Sequence, residues 1–183
     1  IGLDAILTAD ADTIVQADGV ILPGVGAYAA AMTVLKERGL VEPLLEVVKR
    51  NIPLLGICLG MQLLFDESEE YGLTSGLGII PGVVTAIPRD TGLRVPHMGW
   101  NQNTVHHRES AFRGIDGQYT YFVHSYYVDT DPKYITSTAD YGMAVPGIVE
   151  CGSVYGMQFH PEKSGAVGLD LLRTFGNITK LIQ

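Results

Sequence analysis

Apolar runs of two lengths divide this chain into elements of two kinds. Residues 3–9 (LDAILTA) and 19–24 (GVILPG) are short apolar runs that read as strands. AYAAAMTVLKERG (27–39) consists of helix formers and stops at Gly39. VEPLLEVVKRN (41–51) reads as a second helix with Leu44, Leu45, Val47 and Val48 on one face. IPLLGI then reads as a buried strand, and LGMQLLFDESEE as a helix starting at or just after Cys58. Strands alternating with helices in this way predict an open, mostly parallel α/β sheet with helices on both faces.

The pattern changes in the middle. GLGIIPGVVTAIP, YTYFVHSYYV, YITSTADYG and MAVPGIVECGSVYGMQF are strand-like and broken by Gly, Pro and Asp turns. They predict an added antiparallel β section, or strands that extend the sheet. AVGLDLLRTFGNITKLI (166–182) closes the chain as an amphipathic helix, with Leu169, Leu172, Phe175 and Ile178 at helical spacing. No repeat, low-complexity tract or linker interrupts the sequence, so residues 1–183 read as one domain.

Composition narrows the partners. With 46% hydrophobic and 17% charged residues, the 183-residue chain has enough apolar side chains for a folded core. A net charge of -8 argues against nucleic acid or an anionic membrane surface, both of which call for basic patches. Cys58 and Cys151 are the only cysteines, with no CxxC, so neither a disulfide framework nor a zinc site is expected, and a cytoplasmic setting is. No cluster of His, Cys and carboxylates has ligand spacing, so no metal and no cofactor are expected. The most apolar stretch, residues 52–65, is too short and broken to span a bilayer. No signal-peptide pattern opens the chain, and residue 1 is Ile, which reads as a start after processing or after loss of an upstream segment.

Gly56-Ile57-Cys58-Leu59-Gly60 has the form G-x-C-x-G between a predicted strand and a predicted helix. Glycines on both sides leave room where strand and helix pass closest, so the turn can hold Sγ out at the carboxyl end of the sheet, where open α/β sheets bind ligands. A helix N-terminus beneath the thiol is expected to favour thiolate. Two readings stand at this point: a nucleophile, or the small buried hydrophobe that most free cysteines are. A nucleophile needs a base. Among His97, His106, His107, His124 and His160, the last follows an apolar strand directly and precedes Pro161, which holds it extended. Residues two apart in extended chain share a side, so Glu162 can accept from the imidazole. Cys58, His160 and Glu162 then supply nucleophile, base and orienting carboxylate, although His-Pro-Glu alone reads equally as a surface turn.

The elbow GICLGMQ followed downstream by QFHPE resembles the class I (triad) glutamine amidotransferases over nearly the whole chain. The resemblance implies that Cys58 attacks the glutamine amide, that a thioester forms, and that ammonia leaves for a synthase partner without reaching solvent. It implies an oxyanion hole from the Leu59 N–H and the loop PGVG (23–26), with Gly24 and Gly26 letting the chain turn the Val25 amide inward. On its own PGVG is a Gly/Pro turn.

GICLGMQLLFDESEE, GLGIIPG, PHMGWN, YFVHSYYV and QFHPEKS look more narrowly like the glutaminase subunits of imidazole glycerol phosphate synthases, which serve histidine biosynthesis. That likeness implies glutamine held by Gln62, Glu70, His124, Ser125 and Tyr126, and a heterodimer with a (β/α)8 cyclase subunit faced by Met98, Trp100, Tyr121 and Lys163. Read without it, Glu69 and Glu70 are a solvated helix end and Trp100 is ordinary core. Subunits of this kind open with a strand, a glycine loop and a helix before the segment that residues 1–10 resemble. The resemblance implies that this unit is missing here, leaving an open sheet edge or a gap in the core. Other readings kept alongside are another triad amidotransferase (guanylate, anthranilate or pyridoxal phosphate synthesis), a non-catalytic interaction protein, and a cysteine-based redox sensor.

Overall fold

The structure is a computed structural model that describes residues 1–89 and 92–180. Residues 3–9 form no strand; they are exposed and no described strand pairs with them. A strand's N–H and C=O groups need a ladder partner, so the expected first strand is irregular chain instead. The Leu3 side chain lies over Gly176. The first regular element is the short helix α1 (Ala11–Gln16), capped by Asp10, whose carboxylate accepts the Thr13 N–H at 2.8 Å.

β1 (Val20–Gly24), β2 (Leu54–Cys58) and β11 (Val154–Met157) pair in parallel, in that order. β10 (Ala144–Cys151), β9 (Ile135–Asp140), β6 (His97–Val105) and β7 (Tyr119–His124) continue the same seven-stranded sheet antiparallel. The expected α/β sheet with an antiparallel section thus forms. Its parallel part is three strands, because residues 3–9 do not join it, and the antiparallel section extends it on the β11 side only.

Adjacent residues of β2 face opposite ways, as strand geometry requires. Leu54 enters one core cluster with Tyr28, Met32, Leu44, Val47 and Met61; Leu55 enters another with Phe122, Phe159, Leu171 and Phe175. α2 (Tyr28–Glu37) and α3 (Val41–Lys49) cover the first face and α5 (Gly165–Lys180) the second. Gly39, at φ 64°, ends α2 as expected. Positions 181–182 of the expected closing helix lie outside the described residues. Within α5 the buried residues are Gly168, Leu171, Phe175 and Gly176, while Leu169 is exposed. Of the expected face, Phe175 is in the core and Leu172 and Ile178 pack against it, so only Leu169 departs; the buried stripe extends to Gly168, where a Cβ would meet the Pro161 carbonyl oxygen at 1.8 Å.

The helix expected from Cys58 through the acidic run is also corrected. α4 spans only Leu59–Gln62, and Phe65–Ser68 is a strand, β3. The Leu77, Gly78 and Ile79 N–H groups donate to the carbonyls of Leu63, Phe65 and Leu64, so those carbonyls cannot continue a helix. β3 pairs in parallel with β5 (Ile80–Ala86) in a second, four-stranded sheet completed by β4 (Thr74–Ser75) and β8 (Tyr126–Asp129). The chain crosses from the large sheet to the small one at Ser125.

Candidate active site

Cys58 closes β2 and starts α4 with φ 53° and ψ −112°, a conformation a non-glycine residue enters at a cost of about 1–3 kcal/mol. The glycines around it are sterically required. A Cβ on Gly60 would lie 1.8 Å from the Leu22 carbonyl oxygen, and one on Gly56 would lie 2.6 Å from the Gly60 carbonyl oxygen. Strand β1, strand β2 and α4 thus pack backbone to backbone beneath the thiol. Gly24 pairs with Cys58 across the parallel register, so the loop 24–26 leaves the sheet directly beside Cys58. Gly24 sits against the Gly60 N–H and the Leu59 side chain, Gly26 adopts φ 94°, and Val25 is 79% exposed. A cleft of about 410 Å³ runs between this loop, α2 and the side chains of Leu59 and Leu63.

The thiol is buried, and that burial pushes its pKa up to about 11, with the Leu59 N–H pulling the other way. The thiolate expected from a helix N-terminus is therefore not favoured at rest: α4 has four residues, too few to outweigh desolvation. Sγ lies 3.9 Å from the Val123 carbonyl oxygen, which accepts from it, and 4.0 Å from Gln158 Nε2.

β2 and β11 pair Ile57 with Met157, so Cys58 and the Gln158–His160 segment leave the sheet side by side. His160 Nδ1–H donates to Glu162 Oε1 at 2.8 Å, which fixes the tautomer and leaves Nε2 free to take a proton. The reason differs from the expected one. Pro161 opens a 3-10 turn over Pro161–Lys163, and the turn, not an extended two-residue repeat, folds Glu162 back to the ring. The His160 backbone is clamped as well. Its N–H donates to the Tyr121 carbonyl at 2.9 Å, and the Ser164 hydroxyl donates to its carbonyl at 2.6 Å while accepting the Tyr121 N–H at 3.0 Å.

The residues expected around the substrate fall into two groups. Gln62 and His124 are buried, and Glu70, Ser125 and Tyr126 are partly exposed at the edge between the sheets. Gln62 Nε2 donates to the Tyr126 carbonyl at 2.9 Å and to Gln158 Oε1 at 3.0 Å, so only its oxygen remains for a ligand. Glu70, on a loop rather than a helix end, accepts the Tyr28 N–H at 2.6 Å and so ties the start of α2 to the segment that carries Glu70. His124 Nε2 lies 2.9 Å from His97 Nδ1, and its Nδ1 lies 2.8 Å from the Tyr126 carbonyl oxygen; His97 Nε2 in turn meets Asn101 Oδ1 at 2.8 Å. Burial lowers the pKa of both imidazoles, that of His124 to about 3. His97 is stacked between Tyr141 and Phe122.

On the outer face of the sheet, Met98 and Trp100 are 60% and 53% exposed, and Trp100 meets Tyr121 edge to face. Trp100 is therefore surface and not core. Lys163 is exposed on the turn that carries Glu162. Tyr119 extends the patch beyond the expected residues. Gln158 and Ser164 were also outside the expected site, although both stand within four residues of His160. Among the described residues, no group of three or more His, Cys, Asp or Glu could hold a metal ion, and no helix is long and apolar enough to cross a membrane.

Comparison with known proteins points one way. Residues 5–176 match the family described as glutamine amidotransferase class-I. Imidazole glycerol phosphate synthase subunit HisH of Streptococcus gordonii is 54% identical over 175 residues, covering 96% of this chain and 84% of that one. The protein of the same name from Listeria monocytogenes is 50% identical over 179 residues, covering 98% and 86%. A crystal structure of a glutamine amidotransferase superposes with a TM-score of 0.73 at 19% identity, covering 96% of this chain and 88% of the other.

Proposed function

This chain belongs to the class I glutamine amidotransferases, and from that premise we propose that it is the glutaminase subunit of an imidazole glycerol phosphate synthase. It hydrolyses glutamine to glutamate and hands the ammonia to a cyclase partner. The observation that carries the chemistry is the His160–Glu162 hydrogen bond at 2.8 Å beside a cysteine held at φ 53°. The pathway assignment rests on identity of 50–54% to the two HisH proteins across nearly the whole chain.

The geometry supports the following sequence. Glutamine lies over α4 with its carboxamide at Cys58. His160 Nε2 takes the thiol proton while Sγ bonds to the amide carbon, and Glu162 holds the imidazolium through Nδ1–H. The oxyanion is met by the Leu59 N–H and by an N–H of the 24–26 loop, for which Val25 is the candidate; the adjoining cleft gives that loop room to turn. His160 then protonates the departing nitrogen, ammonia leaves, and water, deprotonated by the same imidazole, cleaves the thioester to glutamate.

Gln62 has both amide hydrogens committed within the protein, so its oxygen is fitted to the α-ammonium of glutamine. Glu70 supports the same end with the carboxylate oxygen that Tyr28 leaves free, and Ser125 and Tyr126, at the crossing between the two sheets, are assigned to the substrate with it. His124, with both ring nitrogens engaged inside the protein, acts through Tyr126 by positioning its carbonyl. A thiol pushed up to about pKa 11 has little reactivity at rest, which suits an enzyme switched on by its partner. Met98, Trp100, Tyr121 and Lys163 face that partner. They lie on and beside β7, whose Val123 and Tyr121 carbonyls meet Cys58 and the His160 N–H, so docking there reaches the site through one strand.

Glutamine labelled with 15N at the amide, supplied to the chain together with a cyclase subunit and its nucleotide ligand, tests the assignment. Label is expected in imidazole glycerol phosphate even against excess unlabelled ammonium. Label released only as free ammonium, or no association with the cyclase, overturns it in favour of another triad amidotransferase or a non-catalytic role.

A further inference from the structure

We propose that Gln158 is a further catalytic residue, whose side-chain amide is held as a hydrogen-bond donor to the Cys58 sulfur and stabilises the thiolate as it forms. The inference rests on the reading of Cys58 as the nucleophile.

Gln158 is fully buried and follows β11 at the level of Cys58 in the parallel register. A buried amide must have its polar atoms satisfied, and here each partner dictates the next. The Tyr126 carbonyl can only accept, so Gln62 turns Nε2 towards it, at 2.9 Å. The second hydrogen on that nitrogen points at Gln158 with a separation of 3.0 Å, so Gln158 must present its oxygen there. Its Nε2 is then turned to Sγ, 4.0 Å away, and among the described residues it has no other side-chain acceptor. The orientation of an amide that could face either way is thus set by a carbonyl two hydrogen bonds distant.

The sulfur lies between an acceptor and a donor. The Val123 carbonyl, 3.9 Å away, suits a protonated thiol. Once the proton passes to His160, that carbonyl has nothing to accept, and the Leu59 N–H and Gln158 Nε2–H join the new imidazolium as donors to a buried charge. Gln158 gains and loses no proton in this step. It offers partial positive charge without a cation, so the thiol stays protonated at rest and protected from oxidation, which follows thiolate character.

The test uses the chain in complex with the cyclase subunit. Iodoacetamide, itself a small amide, reports the thiolate fraction at Cys58 through its alkylation rate at about pH 8. Gln158→Met keeps the volume and removes the donor; Gln158→Glu keeps the shape and adds an acceptor. Alkylation is expected to slow about tenfold in Gln158→Met and further in Gln158→Glu, with kcat falling in parallel and KM for glutamine unchanged, since a hydrogen bond to a charged group carries about that factor. Rates within twofold of the native complex in both folded variants overturn the proposal. A native-sequence complex labelled with 15N-glutamine gives a reading independent of the variants' folding. The Gln158 side-chain amide resonance is expected to move through the same pH midpoint as the alkylation rate, and a resonance flat across that midpoint overturns the proposal. Cys58→Ala separates the two levels: if it retains turnover, the nucleophile assignment fails; if it abolishes turnover while the Gln158 variants alkylate normally, only the role of Gln158 fails.

Discussion

A single cysteine and its two glycine neighbours carry the local argument. The pair was legible in the sequence because glycine on both sides of a thiol, between an apolar strand and a helix, has a steric meaning, and the structure supplies it: the Gly60 Cα stands where the Leu22 carbonyl leaves no room for a methyl group. Gly60→Ala is therefore expected to lose at least 1–3 kcal/mol of stability, about the cost of overpacking, and to lower glutaminase activity with it. Urea unfolding of the variant checks this, and an unchanged midpoint refutes the close approach. Protonation of the thiol was not legible. Thiolate character looked assured from a helix N-terminus, but it depends on how far burial outweighs four residues of helix, and burial is a property of the fold. The link from Gln158 through Gln62 to Tyr126 was equally hidden, because it joins residues brought together only by lateral strand pairing.

At the level of elements, strands and helices with a strong period came through: α2, α3, β2, β5, β7, β9 and β10 form where the pattern places them, while β6 lies outside the segments that pattern marked. The misses have a common cause. Neither residues 3–9 nor residues 65–68 (FDES) carry a pattern that decides their structure, and the decision fell to partners. No strand pairs with the first, while β5 pairs with the second and residues 77–80 occupy the carbonyls a helix would need. The pairing of β6 with β7 also sets His97 opposite His124, and burial holds both imidazoles below their usual pKa. A lowered histidine pKa stabilises the fold above the unfolded value of about 6.5 and is lost as pH falls towards the folded value of about 3. Unfolding midpoints are thus expected to drop between those limits, and the drop should be shallower in His124→Gln than in the native chain. Equal slopes in the two proteins would show that the pair does not titrate with folding.

Across the whole molecule, an apolar patch and a buried reaction centre share strand β7. Met98, Trp100 and Tyr119 leave a surface that a stable monomer rarely exposes, and the carbonyls of the strand behind it reach Cys58 and His160. Trp100→Ala is expected to weaken cyclase binding by about 2 kcal/mol, roughly 30-fold in Kd, with little change in the chain's own stability because the side chain is half exposed. Titration calorimetry with the cyclase subunit measures it, and unaltered affinity places the interface elsewhere. The central claim is that Cys58, held on a tight turn by its flanking glycines and served by His160 and Glu162, is the nucleophile that opens glutamine. Its most direct test is the rate of glutamate release by the cyclase complex of the native chain and of Cys58→Ala. Turnover in the native complex and none above background in the variant is the predicted result; turnover that survives in Cys58→Ala contradicts the account.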